Sequence, residues 1–219
     1  MSESKENIFI FVPNLIGFAR VILLIISLYY MPTHCVVACT CYITSALLDA
    51  FDGHAARYFN QSTKFGAMLD QLTDRAGTSC LMMTLGAFYP QYLFWFQLSM
   101  AIDITGHWLY LHTTTLQGKA SHKFIDMSEN PIMHLYYTNR TVLFFMCAGN
   151  EAFYAALYVM YFYTGPTVLG MGLYKLIALV CLPVAVVKTM ITILHMGVAS
   201  LNLATIDVNE RSKIAAKQN

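Results

Sequence analysis

The chain reads as an all-α integral membrane protein, and two observations carry that prediction. Of its 219 residues, 57% are hydrophobic and only 11% are charged, with a mean hydropathy of +0.53, outside the ordinary soluble range. Six windows also reach the ~20 apolar residues that a helix needs to cross a bilayer; they lie near 13–31, 35–58, 66–89, 91–113, 140–163 and 173–200. Lipid gives backbone groups no partners, so each window is expected to be a helix. A formal net charge of +1 supplies no basic surface, which excludes nucleic acid as a partner.

Each element has its own signals. The opening MSESKENIF carries acids and a single lysine before the first apolar run, unlike the basic start of a secretory leader, so the first window is expected to be retained. Pro13 suits a first helical turn. Met31-Pro32-Thr33 closes the first window, Tyr89-Pro90 separates the third from the fourth, and Thr164-Gly165-Pro166 precedes the last. Trp95 and Trp108 fall near the two ends of the fourth, as interfacial anchors do. Cys35, Cys39, Cys41, Cys80, Cys147 and Cys181 show no zinc-ligand spacing and read as small apolar residues. One membrane domain over 1–219, with short cytoplasmic tails at 1–7 and 203–219, is the simplest division.

Lysine and arginine collect on the cytoplasmic side of a membrane. Lys5, Lys64, Lys119, Lys123, Arg140, Arg211, Lys213 and Lys217 share one face, against Lys175 on the other. Both termini and the bend at 59–65 are therefore expected to be cytoplasmic.

Against this apolar background, residues 47–74 hold four aspartates. Asp49 and Asp52 are three apart and Asp70 and Asp74 four apart, so each pair shares a helix face. A short bend joins the two helices, which predicts antiparallel neighbours. A pivot near 61–62 would set Asp52 level with Asp70 and Asp49 level with Asp74. Four carboxylates in one small volume need countercharge. Divalent cations supply it, because magnesium takes carboxylate oxygens together with substrate phosphates, and paired metals serve displacement at phosphorus. Arg20, Arg57 and Arg75 are the competing partners; on spacing alone Arg20 faces either the aspartates or the lipid headgroups. Gly53, Ala56 and Gly66 leave bare backbone where a bulky ligand can approach.

The spacing Asp49-x2-Asp52-Gly53-x2-Ala56-Arg57-x8-Gly66-x3-Asp70-x3-Asp74 matches in full the signature of the CDP-alcohol phosphatidyltransferase family. From NIFIFVPNLIGFAR through LYYTNRTVLFFMCAGNE, the chain resembles the eukaryotic inositol-using branch of that family nearly end to end. The resemblance implies six transmembrane helices around a cytosol-facing active-site cavity, a homodimer in the endoplasmic reticulum membrane, and two divalent ions, Mg2+ or Mn2+. It further implies transfer of the phosphatidyl group from CDP-diacylglycerol to myo-inositol with release of CMP. Carried onto this chain, the motif makes Asp49, Asp52 and Asp70 metal ligands, and makes Asp74 the base as well as a metal neighbour. Gly53, Arg57 and Thr63 would hold the CDP moiety, and Lys119, Lys123, Asn139 and Arg140 are candidates for inositol.

Two other readings compete. An ion-coupled transporter would spread its carboxylates through the membrane depth and show repeat symmetry, whereas these cluster at one depth. A sister transferase with a different acceptor alcohol shares the motif, so the motif alone does not distinguish it.

Overall fold

The computed structural model of the chain describes residues 6–117 and 138–218, and they are overwhelmingly helical. Six α-helices of 19 residues or more lie among them: α1 Val12–Tyr30, α2 Cys35–Tyr58, α3 Lys64–Phe88, α4 Leu93–Gln117, α5 Arg140–Phe162 and α6 Leu173–Gln218. Four of these, α1, α2, α5 and α6, are long and apolar enough to cross a membrane. The other two, α3 and α4, have 25 residues each, but α3 carries Asp70, Asp74 and Arg75 within its apolar run. The chain divides into two compact units, one ending at Leu93 and the other starting at Phe94.

In the first unit a 3-10 turn at Ile8–Ile10 leads into α1, which starts with Pro13 in its first turn. At the end of α2 the chain closes on itself in two steps. The Asn60 amide donates to the Arg57 carbonyl at 3.4 Å and the Gln61 amide to the Ala56 carbonyl at 2.9 Å, while Asn60 adopts φ 54°. These are the two bonds of a Schellman cap, with asparagine filling the left-handed position that glycine usually takes. Three residues on, the Thr63 hydroxyl accepts from the Gly66 amide at 3.0 Å and starts α3. Gln61 also reaches back, its Oε1 accepting from the Val12 amide at 3.0 Å. The bend thus ties together the ends of all three helices.

The structure departs from the expected hairpin here. Helices α2 and α3 touch each other only sparingly, and α1 packs against both, most extensively against α2. Four like charges on the facing sides of α2 and α3 oppose close contact, and α1 supplies both apolar surface and a cation. Small residues let it in: a Cβ at Gly17 would come within 2.8 Å of Leu69 Cδ2, and one at Gly66 within 2.6 Å of Asn14 Oδ1.

In the second unit Asn139 caps α5, its Oδ1 accepting from the amides of Thr141 and Val142 at 3.0 and 3.3 Å. A two-residue hairpin pairs Thr167–Val168 with Met171–Gly172, turning through Leu169 (φ 50°) and Gly170 (φ 78°). Both central residues have positive φ, as a type I′ turn requires. Helix α6 follows and runs for 46 residues through Pro183. That is about 69 Å at 1.5 Å per residue, longer than the roughly 45 Å of a whole bilayer. The segment from residue 203, expected to be a tail, continues this helix. All six cysteines are free.

Replacing Gly66 with alanine should lower thermal stability by about 1–3 kcal/mol, the usual cost of overpacking, because the new Cβ meets the buried Asn14 side chain. A melt of the detergent-solubilised protein checks this; an unchanged midpoint would argue against close packing of α1 on α3.

Candidate active site

The site is built around Arg20, which projects from α1 and is 1% exposed. Nη1 lies 2.7 Å from Asp49 Oδ1, 2.8 Å from Asp52 Oδ2 and 2.6 Å from Asp70 Oδ1, and Nη2 lies 2.6 Å from Asp74 Oδ1. All four aspartates therefore converge, as their spacing predicts, and the choice left open for Arg20 resolves toward them. The backbone holds the arginine in place, since the Arg20 carbonyl accepts from the buried Ser45 hydroxyl of α2 at 3.1 Å.

Within the cluster the carboxylates differ. Asp52 is the most enclosed at 13% exposure, whereas Asp49, Asp70 and Asp74 are 40–43% exposed. These last three can each offer an oxygen within 4.8 Å of the others. The donor set is entirely carboxylate, and four carboxylates outnumber one guanidinium. Hard oxygen donors with excess negative charge fit magnesium or manganese and not a soft metal.

Beside the carboxylates is a cavity of about 220 Å³, lined from α1 by Asn14 and Gly17, from α2 by Asp52, Gly53 and Arg57, and from the bend and α3 by Thr63, Gly66 and Asp70. The three residues assigned to the CDP moiety, Gly53, Arg57 and Thr63, thus share one wall system with two of the aspartates. A Cβ at Gly53 would sit 3.6 Å from Arg57 Nη1, so the glycine leaves the guanidinium head uncovered on that side. Thr63 uses one lone pair of its oxygen on the helix cap, which leaves its hydroxyl proton able to donate.

Two contributors were not assigned from sequence. Asn14 is 1% exposed; its Nδ2 donates to the Ile8 carbonyl at 2.6 Å, and its Oδ1 finds no partner among the described residues. Gln61 lines the same cavity. A polar residue at the head of an apolar helix was the available signal for Asn14; Gln61 gave none. In the second unit His107 Nδ1 meets its own helix, 2.8 Å from the Asp103 carbonyl and 3.5 Å from Asp103 Oδ1. Of the candidates for inositol, Asn139 has its oxygen engaged in the α5 cap and Arg140 opens that helix. Lys119 and Lys123 lie outside the described residues.

Comparison with known proteins agrees with this geometry. The family model for CDP-alcohol phosphatidyltransferase matches residues 10–199. The chain is 53% identical to the Drosophila melanogaster CDP-diacylglycerol–inositol 3-phosphatidyltransferase, covering 95% of this chain and 91% of that one. It is 50% identical to the Homo sapiens protein of that name, over 95% and 98%, and 39% to the Saccharomyces cerevisiae one, over 96% and 94%. No solved structure matches significantly. Four motif aspartates gathered at one point and similarity along nearly the whole length lead to one conclusion: the chain belongs to the CDP-alcohol phosphatidyltransferase family.

Proposed function

We propose that the protein transfers the phosphatidyl group from CDP-diacylglycerol to myo-inositol, yielding phosphatidylinositol and CMP. The observation that carries this is the joint presence of the aspartate cluster with its cavity and near-full-length similarity to relatives whose names state that reaction. Asp49, Asp52 and Asp70, with Asp74 beside them, would hold two divalent cations, Mg2+ or Mn2+. Bound there, such ions supply positive charge to the pyrophosphate oxygens and to the departing CMP.

The chain's own groups do the rest. Arg57 offers a planar fork suited to phosphate, Gly53 lets the pyrophosphate approach the backbone, and the Thr63 hydroxyl donates a hydrogen bond to the nucleotide. Asp74 accepts the proton of the attacking inositol hydroxyl, whose oxygen forms a bond to the phosphatidyl phosphorus as the bond to CMP breaks. Direct displacement is favoured over an aspartyl-phosphate, because carboxylates shared with cations are weak nucleophiles. Lys119, Lys123, Asn139 and Arg140 are proposed to read the inositol hydroxyls. The protein would work as a single six-span domain and homodimer in the endoplasmic reticulum membrane, with both termini and the active-site cavity facing the cytosol.

Purified protein given CDP-diacylglycerol and a panel of alcohols should release CMP preferentially with myo-inositol. Preference for inositol phosphate or for an unrelated alcohol would move the reading to another branch of the family.

Asp74→Asn should lower turnover by about 10²–10⁴-fold, the usual worth of a positioned base, while CDP-diacylglycerol still binds. Asp52→Asn should instead shift the metal titration to higher concentration, because one carboxylate fewer holds the cations. Equal turnover in the first variant, or an unmoved titration in the second, would refute the assigned role.

Neither glycosylation acceptor sequence, Asn60-Gln61-Ser62 or Asn139-Arg140-Thr141, should carry a glycan, since charge bias sets both on the cytoplasmic side. Glycosidase treatment and gel mobility after expression in glycosylating cells provide the check. A shift abolished by Asn60→Gln would turn the aspartates toward the lumen.

A further inference from the structure

Arg20 is over-subscribed. Nη1 carries two N–H groups, yet oxygens of Asp49, Asp52 and Asp70 stand 2.7, 2.8 and 2.6 Å from it. Nη2 has Asp74 at 2.6 Å, and Nε, also buried, finds no partner among the described residues. Each aspartate thus meets the guanidinium through one oxygen. The bidentate fork that makes an arginine–carboxylate pair strong and geometrically fixed is not formed with any of them. These contacts are charge neutralisation shared four ways.

Exposure divides the four. Asp49, Asp70 and Asp74 are open to solvent and can each turn an oxygen toward a common point, while Asp52 is the enclosed one. A cation entering from the open side reaches three carboxylates that Arg20 is already holding. A guanidinium and a divalent ion drawn to the same oxygens repel each other at a few ångströms, and in a partly buried site that repulsion is weakly screened. The backbone of Arg20 is held, because its carbonyl is tied to Ser45 and Gly17 and Gly66 seat α1 tightly on α3, so only the side chain can give way.

We propose that Arg20 is the exchangeable counter-cation of the aspartate cluster: it holds all four carboxylates in the metal-free protein, yields Asp49, Asp70 and Asp74 on metal loading, and keeps its contact with Asp52 Oδ2, leaving the other Asp52 oxygen to the metal. This rests on the reading that the cluster binds divalent cations. Two effects of opposite sign follow. Arg20 stabilises the empty fold and weakens metal affinity, and the same coupling free energy governs both directions.

The test uses the full chain in detergent micelles as wild type, Arg20→Gln and Arg20→Lys. Free Mn2+ is followed by its paramagnetic resonance signal, and melts are recorded in EDTA and in saturating Mn2+. Arg20→Gln should melt earlier than wild type in EDTA, gain more from Mn2+, and bind it about tenfold tighter, within the usual range of coupling between sites. Arg20→Lys, which keeps the charge, should fall between the two. A folded Arg20→Gln protein that binds Mn2+ no tighter than wild type overturns the exchange and leaves the metal reading intact. Wild type that binds no Mn2+ overturns both. Should the glutamine variant fold in neither medium, the lysine variant decides: affinity no higher than wild type refutes the proposal.

Discussion

A buried guanidinium facing four carboxylates is the interaction on which the first unit depends. In an apolar surround, an unpaired charge costs several kcal/mol, so Arg20, at 1% exposure, could not occupy its position alone. The arginine and the aspartates together fix which helices meet. Helix α1 supplies the buried cation and lies against both α2 and α3, while those two, each presenting two aspartates to it, touch only sparingly. The order of packing is therefore set by electrostatics as much as by apolar surface.

The cavity is a product of that arrangement. Because α1 is drawn in at Arg20, its N-terminal turn, with Asn14 and Gly17, forms the wall opposite Gly53 and Arg57. Residues far apart in sequence then present carboxylates, a guanidinium head and a hydroxyl around one space. This is the combination a charged nucleotide-lipid requires. It also gathers the carboxylates proposed to hold metal before any metal arrives, so little backbone ordering would remain to be done on binding.

Much of this was legible in residues 47–74, because helical periodicity converts spacing into a face without any knowledge of neighbours. Helix positions followed from apolar length in the same way, with ends shifted by a few residues. The sparing contact of α2 with α3 was not legible, since a short bend suggests neighbours and only three-dimensional placement shows α1 packed on both. The pairing of Arg20 was half-legible: an arginine in an apolar helix demands a partner, but nothing local says which. The continuation of α6 past residue 203 escaped because a window chosen to match bilayer thickness stops where apolarity stops, whereas helical hydrogen bonding does not. The inositol contacts stayed out of reach, as polyol recognition has no characteristic spacing.

The Schellman cap at Asn60 has a consequence for how this chain can change over time. Helices α2 and α3 are phased by the few residues that join them, because the bonds from the Gln61 amide to Ala56 and from the Gly66 amide to Thr63 leave only Ser62 between the two caps to absorb an extra residue. Side chains in the bend can vary in kind only where they bond nothing across it, with asparagine or glycine kept at the left-handed position, Gln61 on the Val12 amide and Thr63 at the head of α3. The number of residues there cannot: one insertion would swing Asp70 and Asp74 away from Arg20 together. Drift in the bend should be visible as substitution, with length held constant across functional descendants.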